Sequence, residues 1–253
     1  MTDNHTLAAP QPRNQTGAFD AQGRTVDAGR GWSWITEAFA LFRRQPGLWI
    51  LITVLLGITF ITINMIPLLG SLASALLMPI FGAGLMLGCE TLHQGGEFSI
   101  NHLFAAFKQK TGDLVMVGVF NLIGWLIIGV AVFALLGGGV FMAMMRGGMQ
   151  GASLSVLSML IAMLLVAGLS VPLYMATWFA PALIALQGLA PGAALKASFY
   201  ACLKNMMPFL IYGLMLMVFG VLAAIPAGLG YLVLIPVLTA SIYTSYRDIF
   251  CAG

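Results

Sequence analysis

The stretch GWSWITEAFALFRRQP, residues 31–46, decides the fold. Wound as a helix, it sets Ile35, Ala38, Phe39 and Phe42 on one stripe, at the i, i+3, i+4, i+7 spacing of an amphipathic segment. Ser33, Glu37, Ala40 and Arg44 fall on the other side. Trp32 and Trp34 stand at one end and Arg43 and Arg44 at the other. Gln45-Pro46 stops the helix, and an uncharged run begins at Gly47. The first segment suits a membrane surface and the second suits a membrane interior.

The composition leaves no other solvent for most of the chain. Of 253 residues, 60% are hydrophobic and 8% charged, with a mean hydropathy of +0.98. A soluble domain carries roughly 25% charged residues. The net charge of +3 is small and scattered. No basic run alternates with aromatics, so nucleic acid is excluded as a partner. Cys89, Cys202 and Cys251 form no CxxC pair, and no histidine stands at ligand spacing from them. They are expected to be reduced, as small apolar residues on the cytoplasmic side. No metal or other cofactor is expected.

Outward from the opening stretch, the same order of parts is read three times. Residues 1–30 are expected to be a disordered cytoplasmic tail, and 31–253 an integral membrane domain. Gly47–Ile66 is the first span, expected to serve as an uncleaved insertion signal. Pro67-Leu68-Leu69-Gly70 turns the chain, and Ser71–Leu92 returns. Ser99–Lys110 repeats the surface helix, with Ile100, Leu103, Phe104 and Phe107 as its stripe, and Asp113–Leu136 follows as the third span. Gly137-Gly138-Gly139 then reads as an interruption. The apolar run Ser153–Leu186 is too long for one untilted span, and Pro172 and Pro181 are its expected break points. Pro191–Asn205 is the third surface helix, with Leu195, Phe199 and Cys202 on one face. Met206–Ile225 and Leu229–Tyr246 are the last two spans, joined at Pro226-Ala227-Gly228.

Phe39, Phe104 and Phe199 can be set in register, and each second span carries a Pro with Ala four residues on: Pro79/Ala83, Pro172/Ala176, Pro236/Ala240. The units are about 32–93, 99–187 and 191–250, with an insertion in the middle one around Gly137–Leu157. The fold class is therefore all-α, a polytopic membrane protein of six transmembrane helices in three hairpins, each preceded by an amphipathic interfacial helix. With six spans, ten of the eleven Lys and Arg share one side, and Arg146 alone falls opposite. Positive residues in short loops stay cytoplasmic, which places both chain ends inside, in the bacterial inner membrane.

The candidate functional residues are few. No ionisable side chain lies at mid-span, where one would mark function. Glu90 and Arg247 stand eleven residues after Pro79 and Pro236. They form an ion pair between the first and third units, or two separately solvated charges. Asn64 and Asn121 bond between helices or line a polar path, the former being favoured. Gly84 and Gly88 place small residues on one face for close helix packing. Trp178 and Tyr174 line a pocket at the break in the fourth helix or sit at the interface. His93 and His102 match no zinc spacing. No nucleophile–base pair and no phosphate-cradling loop is visible, so an enzyme is not expected.

The segments AFALFRRQPGLW (38–49), WFAPALIALQG (178–188) leading into APGAALKASFYACLKNMMPFL, and ASIYTSYRDIF (240–250) resemble a family of uncharacterised bacterial inner-membrane proteins. The layout is also similar, more distantly, to the membrane domain of glycerophosphodiester phosphodiesterase. The resemblance implies a six-span helical fold and no established activity, and it carries over no site residue. The leading expectation is a non-enzymatic protein. Its cytoplasmic face meets membrane lipids, or a membrane or cytoplasmic protein partner, through Arg43/Arg44, Lys108/Lys110 and Lys196/Lys204. The alternative is a transporter or channel for a neutral or apolar solute. The sequence leaves the oligomeric state open.

Overall fold

The computed structural model describes residues 19–146 and 148–251. Ten helices are described: α1 Arg30–Arg44, α2 Pro46–Asn64, α3 Leu69–His93, α4 Asn101–Gln109, α5 Thr111–Arg146, α6 Gly148–Thr177, α7 Ala180–Gln187, α8 Pro191–Lys204, α9 Met206–Ala224 and α10 Tyr231–Phe250. Five stretches are long and apolar enough to cross a membrane: Pro46–Asn64, Leu69–His93, Thr111–Ala134, Ser158–Gln187 and Met206–Ala224. The four that are single helices satisfy their backbone polar groups internally, as hydrocarbon requires, whereas Ser158–Gln187 is interrupted at Trp178-Phe179. α10 matches these stretches in length but is not among them; Arg247 and Asp248, with several hydroxyl side chains, lower its hydropathy.

Short helices lie across the ends of the long ones. α4 packs on α3, α8 on α6 and α7, and α1 on α10 and α9. Each short helix thus rests on the long helix that precedes it in the chain, and α1, which has none before it, closes a ring on the last. Glycine permits the closest of these crossings. A Cβ on Gly31 would stand 2.2 Å from the Pro208 carbonyl oxygen, and one on Gly84 2.5 Å from that of His102.

The inward faces of the short helices overlap the predicted stripes without matching them. α1 buries Trp34, Ile35, Ala38, Leu41 and Phe42, while Phe39 is exposed. α4 buries Leu103 and Ala106, while Ile100 and Phe104 are exposed and Phe107 is half-buried. α8 buries Ala194, Ser198, Ala201 and Cys202, with Leu195 and Phe199 half-buried. On α4 and α8 small residues, Ala106, Ala194, Ser198 and Ala201, lie inward, so that the backbones approach, whereas α1 also buries Trp34 and Phe42.

Three further expectations are corrected. The tail is ordered from Phe19: the Asp20 amide donates to the Phe250 carbonyl and the Arg24 amide to the Ile249 carbonyl. Its docking is polar, which composition does not reveal; residues 1–18 lie outside the described residues. The helix of the third span does not end at the glycine run, although the candidate span itself is Thr111–Ala134. α5 is 36 residues long and α6 is 30, roughly 54 and 45 Å, both longer than a bilayer core of about 30 Å. In the fourth helix Pro172 lies inside α6 and does not break it. Where no water can take up freed groups, a span keeps its helix through a proline. The break comes at Trp178-Phe179, just before Pro181 in α7. The Ser198 hydroxyl of α8 holds that break, accepting from the Phe179 amide (3.0 Å) and donating to the Met175 carbonyl (2.7 Å).

Candidate functional site

Two hollows separate at the layer of Glu90 and Tyr243. The larger is a cavity of about 790 Å³ among α2, α3, α5, α7 and α10. From Trp49 to Asn64 it follows α2 for roughly 22 Å at 1.5 Å per residue. Its wall is mostly apolar. The polar groups along it include Thr53, Asn64, Ser74, Asn121, Thr177 and Thr239. The hydroxyls of Thr53, Thr177 and Thr239 donate to carbonyls of their own helices. Asn64 donates across the hairpin to the Ser74 hydroxyl (2.8 Å). Asn121 lines the α5 wall. At the other end Trp49 is 1% exposed, and its indole N–H has no hydrogen-bond partner among the described residues. Trp178 and Tyr174 do not line this cavity. Trp178 packs against Phe209 and Tyr212, and Tyr174 against Trp125.

The second hollow is a groove of about 400 Å³ on the face that holds Phe19 and Cys251. Arginines from several elements line it: Arg24 from the segment before α1, Arg30 and Arg44 from the two ends of α1, and Arg247 from α10. At one end Asp248 gathers the positive charge. Its carboxylate accepts from Arg30 Nε (2.6 Å), Arg24 Nη2 (3.0 Å) and Trp34 Nε1 (2.8 Å), with its side chain 7% exposed. Burial pushes this carboxyl up, but the bonds from Arg30, Trp34 and Arg24 and the charge of Arg30 outweigh it and hold it below the usual range. The bond to Asp248 likewise raises Arg30, and Glu37 takes a second Arg30 nitrogen at 3.1 Å.

At the other end of the groove Arg44 donates to the Leu92 carbonyl, and Arg247 lies against the His93 ring. The expected Glu90–Arg247 ion pair is not formed. Glu90 accepts from the Tyr243 hydroxyl (2.6 Å) and from Gln94. Tyr243 precedes Arg247 by one turn of α10. Thus α10 sits one turn further along α3 than equal distances from Pro79 and Pro236 require, and Arg247 falls beside His93.

The basic residues read from the sequence divide into two sets. Arg43, Lys108 and Lys196 are exposed and make no hydrogen bond or ion pair among the described residues. The other three are engaged. Arg44 is bound to α3, Lys110 faces Asp113 at 3.7 Å, and Lys204 donates to the Gln22 and Gly23 carbonyls. His102 is a staple, with Nδ1 by Ser99 and Nε2 by Thr91.

Several residues that build this face escaped the sequence reading. Asn205 is fully buried, receives the Val26 amide (2.8 Å), and donates to the Arg24 and Ala201 carbonyls. Arg24 and Arg30 lie in the segment read as tail. Asp248, beside a charged neighbour at a helix end, looked solvated. Burial pushes the Cys202 thiol on α8 up to about 12, which makes it inert.

The chain is 30% identical over 242 residues to a Burkholderia thailandensis protein named "Probable inner membrane protein", covering 87% of this chain and 89% of that one. No family model and no solved structure matches the chain. The likeness to the membrane domain of glycerophosphodiester phosphodiesterase finds no support among these comparisons.

Proposed function

Because the chain belongs to the family of that Burkholderia inner-membrane protein, we propose a six-span, non-enzymatic membrane protein with both ends in the cytoplasm and a cytoplasmic rim that engages anionic lipid headgroups. The sixth span, Leu229–Tyr246, takes in most of α10, and Arg247 and Asp248 lie beyond its end. Ser241, Thr244 and Ser245 are buried, and each hydroxyl donates to a carbonyl, so lipid meets few of the groups that lower its hydropathy. The distribution of Lys and Arg supports the orientation.

One observation carries the lipid reading. On all three short helices the exposed side pairs a large ring with an unpartnered cation: Phe39 with Arg43, Phe104 with Lys108, and Tyr200 with Lys196. Rings of this kind settle at headgroup depth, and each cation attracts anionic lipid by about 1 kcal/mol near the surface. The combined variant Arg43→Gln, Lys108→Gln, Lys196→Gln is expected to lower retention of phosphatidylglycerol over phosphatidylcholine on the order of a hundredfold, at about 3 kcal/mol in sum. Native mass spectrometry from mild detergent reads it. Unchanged lipid retention rejects the rim. If a co-purifying protein is lost in its place, the rim belongs to a protein partner.

A second reading, passage of a neutral or apolar solute, is favoured by the 790 Å³ cavity with Asn64 and Asn121 on its wall. That volume lies within the range of ligand pockets, roughly 300–1,000 Å³.

A further inference from the structure

We propose that the groove on the basic face binds a phosphoryl group at the end formed by Arg44, His93 and Arg247. The site is separate from the rim: it uses cations tied to α3, whereas the rim uses Arg43, Lys108 and Lys196.

The charge is unevenly placed along the groove. Both carboxylates lining it, Asp248 and Glu37, are engaged by Arg24 and Arg30 at one end. At the other end Arg44 and Arg247 have no carboxylate within 4.0 Å among the described residues. Arg44 gives a nitrogen to the Leu92 carbonyl, and Arg247 faces the His93 ring. A guanidinium has five N–H donors in a planar fork, so most donors on each side chain remain to be satisfied. The end of α3 offers them only a fraction of a negative charge. Glu90 is near, but its oxygens are turned to Tyr243 and Gln94.

Two positive side chains held at one end of a groove repel each other unless an anion lies between them. A phosphoryl group is the anion that fits. Its several oxygens accept from two forks at once, and the Arg–phosphate pair is the charge-assisted bond that guanidinium geometry favours. Tyr243 and Thr244 also line the groove, and its 400 Å³ admits a phosphoryl group with part of what it is attached to. Basic pockets between membrane helices hold lipid headgroups in this way, and a soluble phosphate ester offers the same chemistry.

The test uses the full chain, purified in a phosphate-free maltoside detergent and stripped of lipid. The thermal midpoint is followed against inorganic phosphate, against phosphatidic acid, and against diacylglycerol with the same chains. A rise with phosphatidic acid but not diacylglycerol supports the site and assigns it to a lipid. A rise with inorganic phosphate as well assigns it to soluble phosphate esters. Arg247→Gln and Arg44→Gln are each expected to weaken the response about tenfold, as for the loss of one charge-assisted fork. Gln109→Ala, exposed on α4 and outside both the groove and the rim, should leave it unchanged. Should a Gln variant fail to fold, Arg247→Lys and Arg44→Lys keep the charge and lose the fork, and a severalfold loss is expected. No phosphate-dependent rise in the parent protein overturns the proposal, as does a full response in the folded Gln or Lys variants.

Discussion

At the basic face Asn205 bonds to three backbone groups, Asp248 to three side chains, and Ser198 to both sides of a broken helix. Deeper in the same bundle α2 and α3 run along a cavity of about 790 Å³, and a buried indole N–H has no partner among the described residues. Both regions are built from apolar helices with glycine at intervals. The difference lies in what opposes each glycine. At the face, a backbone from another element presses against Gly31 and Gly84; in the middle, nothing lies within 4 Å of a Cβ built on Gly57. Where backbones touch, the stability of the fold is concentrated, and where they stand apart, there is room for a ligand.

The largest effect should come from closing the crossing of α4 on α3. In Gly84→Val the new Cβ would meet the His102 carbonyl oxygen at 2.5 Å and that of Leu103 at 2.8 Å. Both are backbone atoms, so α4 must lift from α3. The expected loss is about 3 kcal/mol or more, because overpacking against atoms that cannot rotate away is the costly kind. Thermal unfolding in detergent, or the loss of a monodisperse peak, reads it. A melt within a degree or two of the parent would mean that α4 is not seated on α3.

Sequence alone could not rank these glycines. Gly57 and Gly84 each sit among aliphatic residues in a segment that reads as a span, and spacing names the helix without naming its neighbour. What was legible followed from hydrocarbon as solvent: long apolar helices, and short amphipathic helices set between them; that α6 runs unbroken through Pro172 was not. What was not legible depended on side chains meeting across the chain. Spacing finds the stripe Ile35, Ala38, Phe39, Phe42 but not the helices packed on it, so it does not separate buried Ile35, Ala38 and Phe42 from exposed Phe39, and it leaves out Trp34 and Leu41. Arg24 and Arg30 looked like tail because their partner Asp248 lies more than two hundred residues on. Asn205 and Ser198 look like ordinary polar residues on a surface helix, and only their neighbours make them structural.

A middle-sized effect separates the charged end of the face from its merely packed parts. Asp248 is held below the usual carboxylate range by Arg30, Trp34 and Arg24. Its unfolded value is near the ordinary one, about 3.9. A folded value below the unfolded one adds stability that is fully present above the unfolded value and is lost as pH falls through the folded value. The protein should therefore lose stability on acidification below about pH 4. In Asp248→Asn that part of the pH dependence should disappear, together with about 2 kcal/mol at neutral pH. The figure is kept low because Arg24 and Arg30 remain in partial contact with water. Thermal midpoints followed from pH 7 down to about pH 3 for both proteins give the comparison, and an unaltered slope in the variant would show that another carboxylate sets the acid limit.

The smallest effect should have the opposite sign. Gly57 lines the cavity, and a Cβ built there meets no atom within 4 Å. In Gly57→Ala the chain loses conformational freedom when unfolded and gains a better helix former, a stabilisation of roughly 0.5–1 kcal/mol. Replacing a glycine would then weaken the fold at position 84 and strengthen it at position 57. Gly57→Leu takes the argument one step further, since the longer side chain has open volume to enter. If the cavity is a working site, the leucine variant should melt near the alanine variant while its capacity for an apolar ligand falls, read with a fluorescent fatty acyl probe. If the alanine variant is less stable than the parent, another helix closes over α2 in the membrane, and the hollow is not available to a solute.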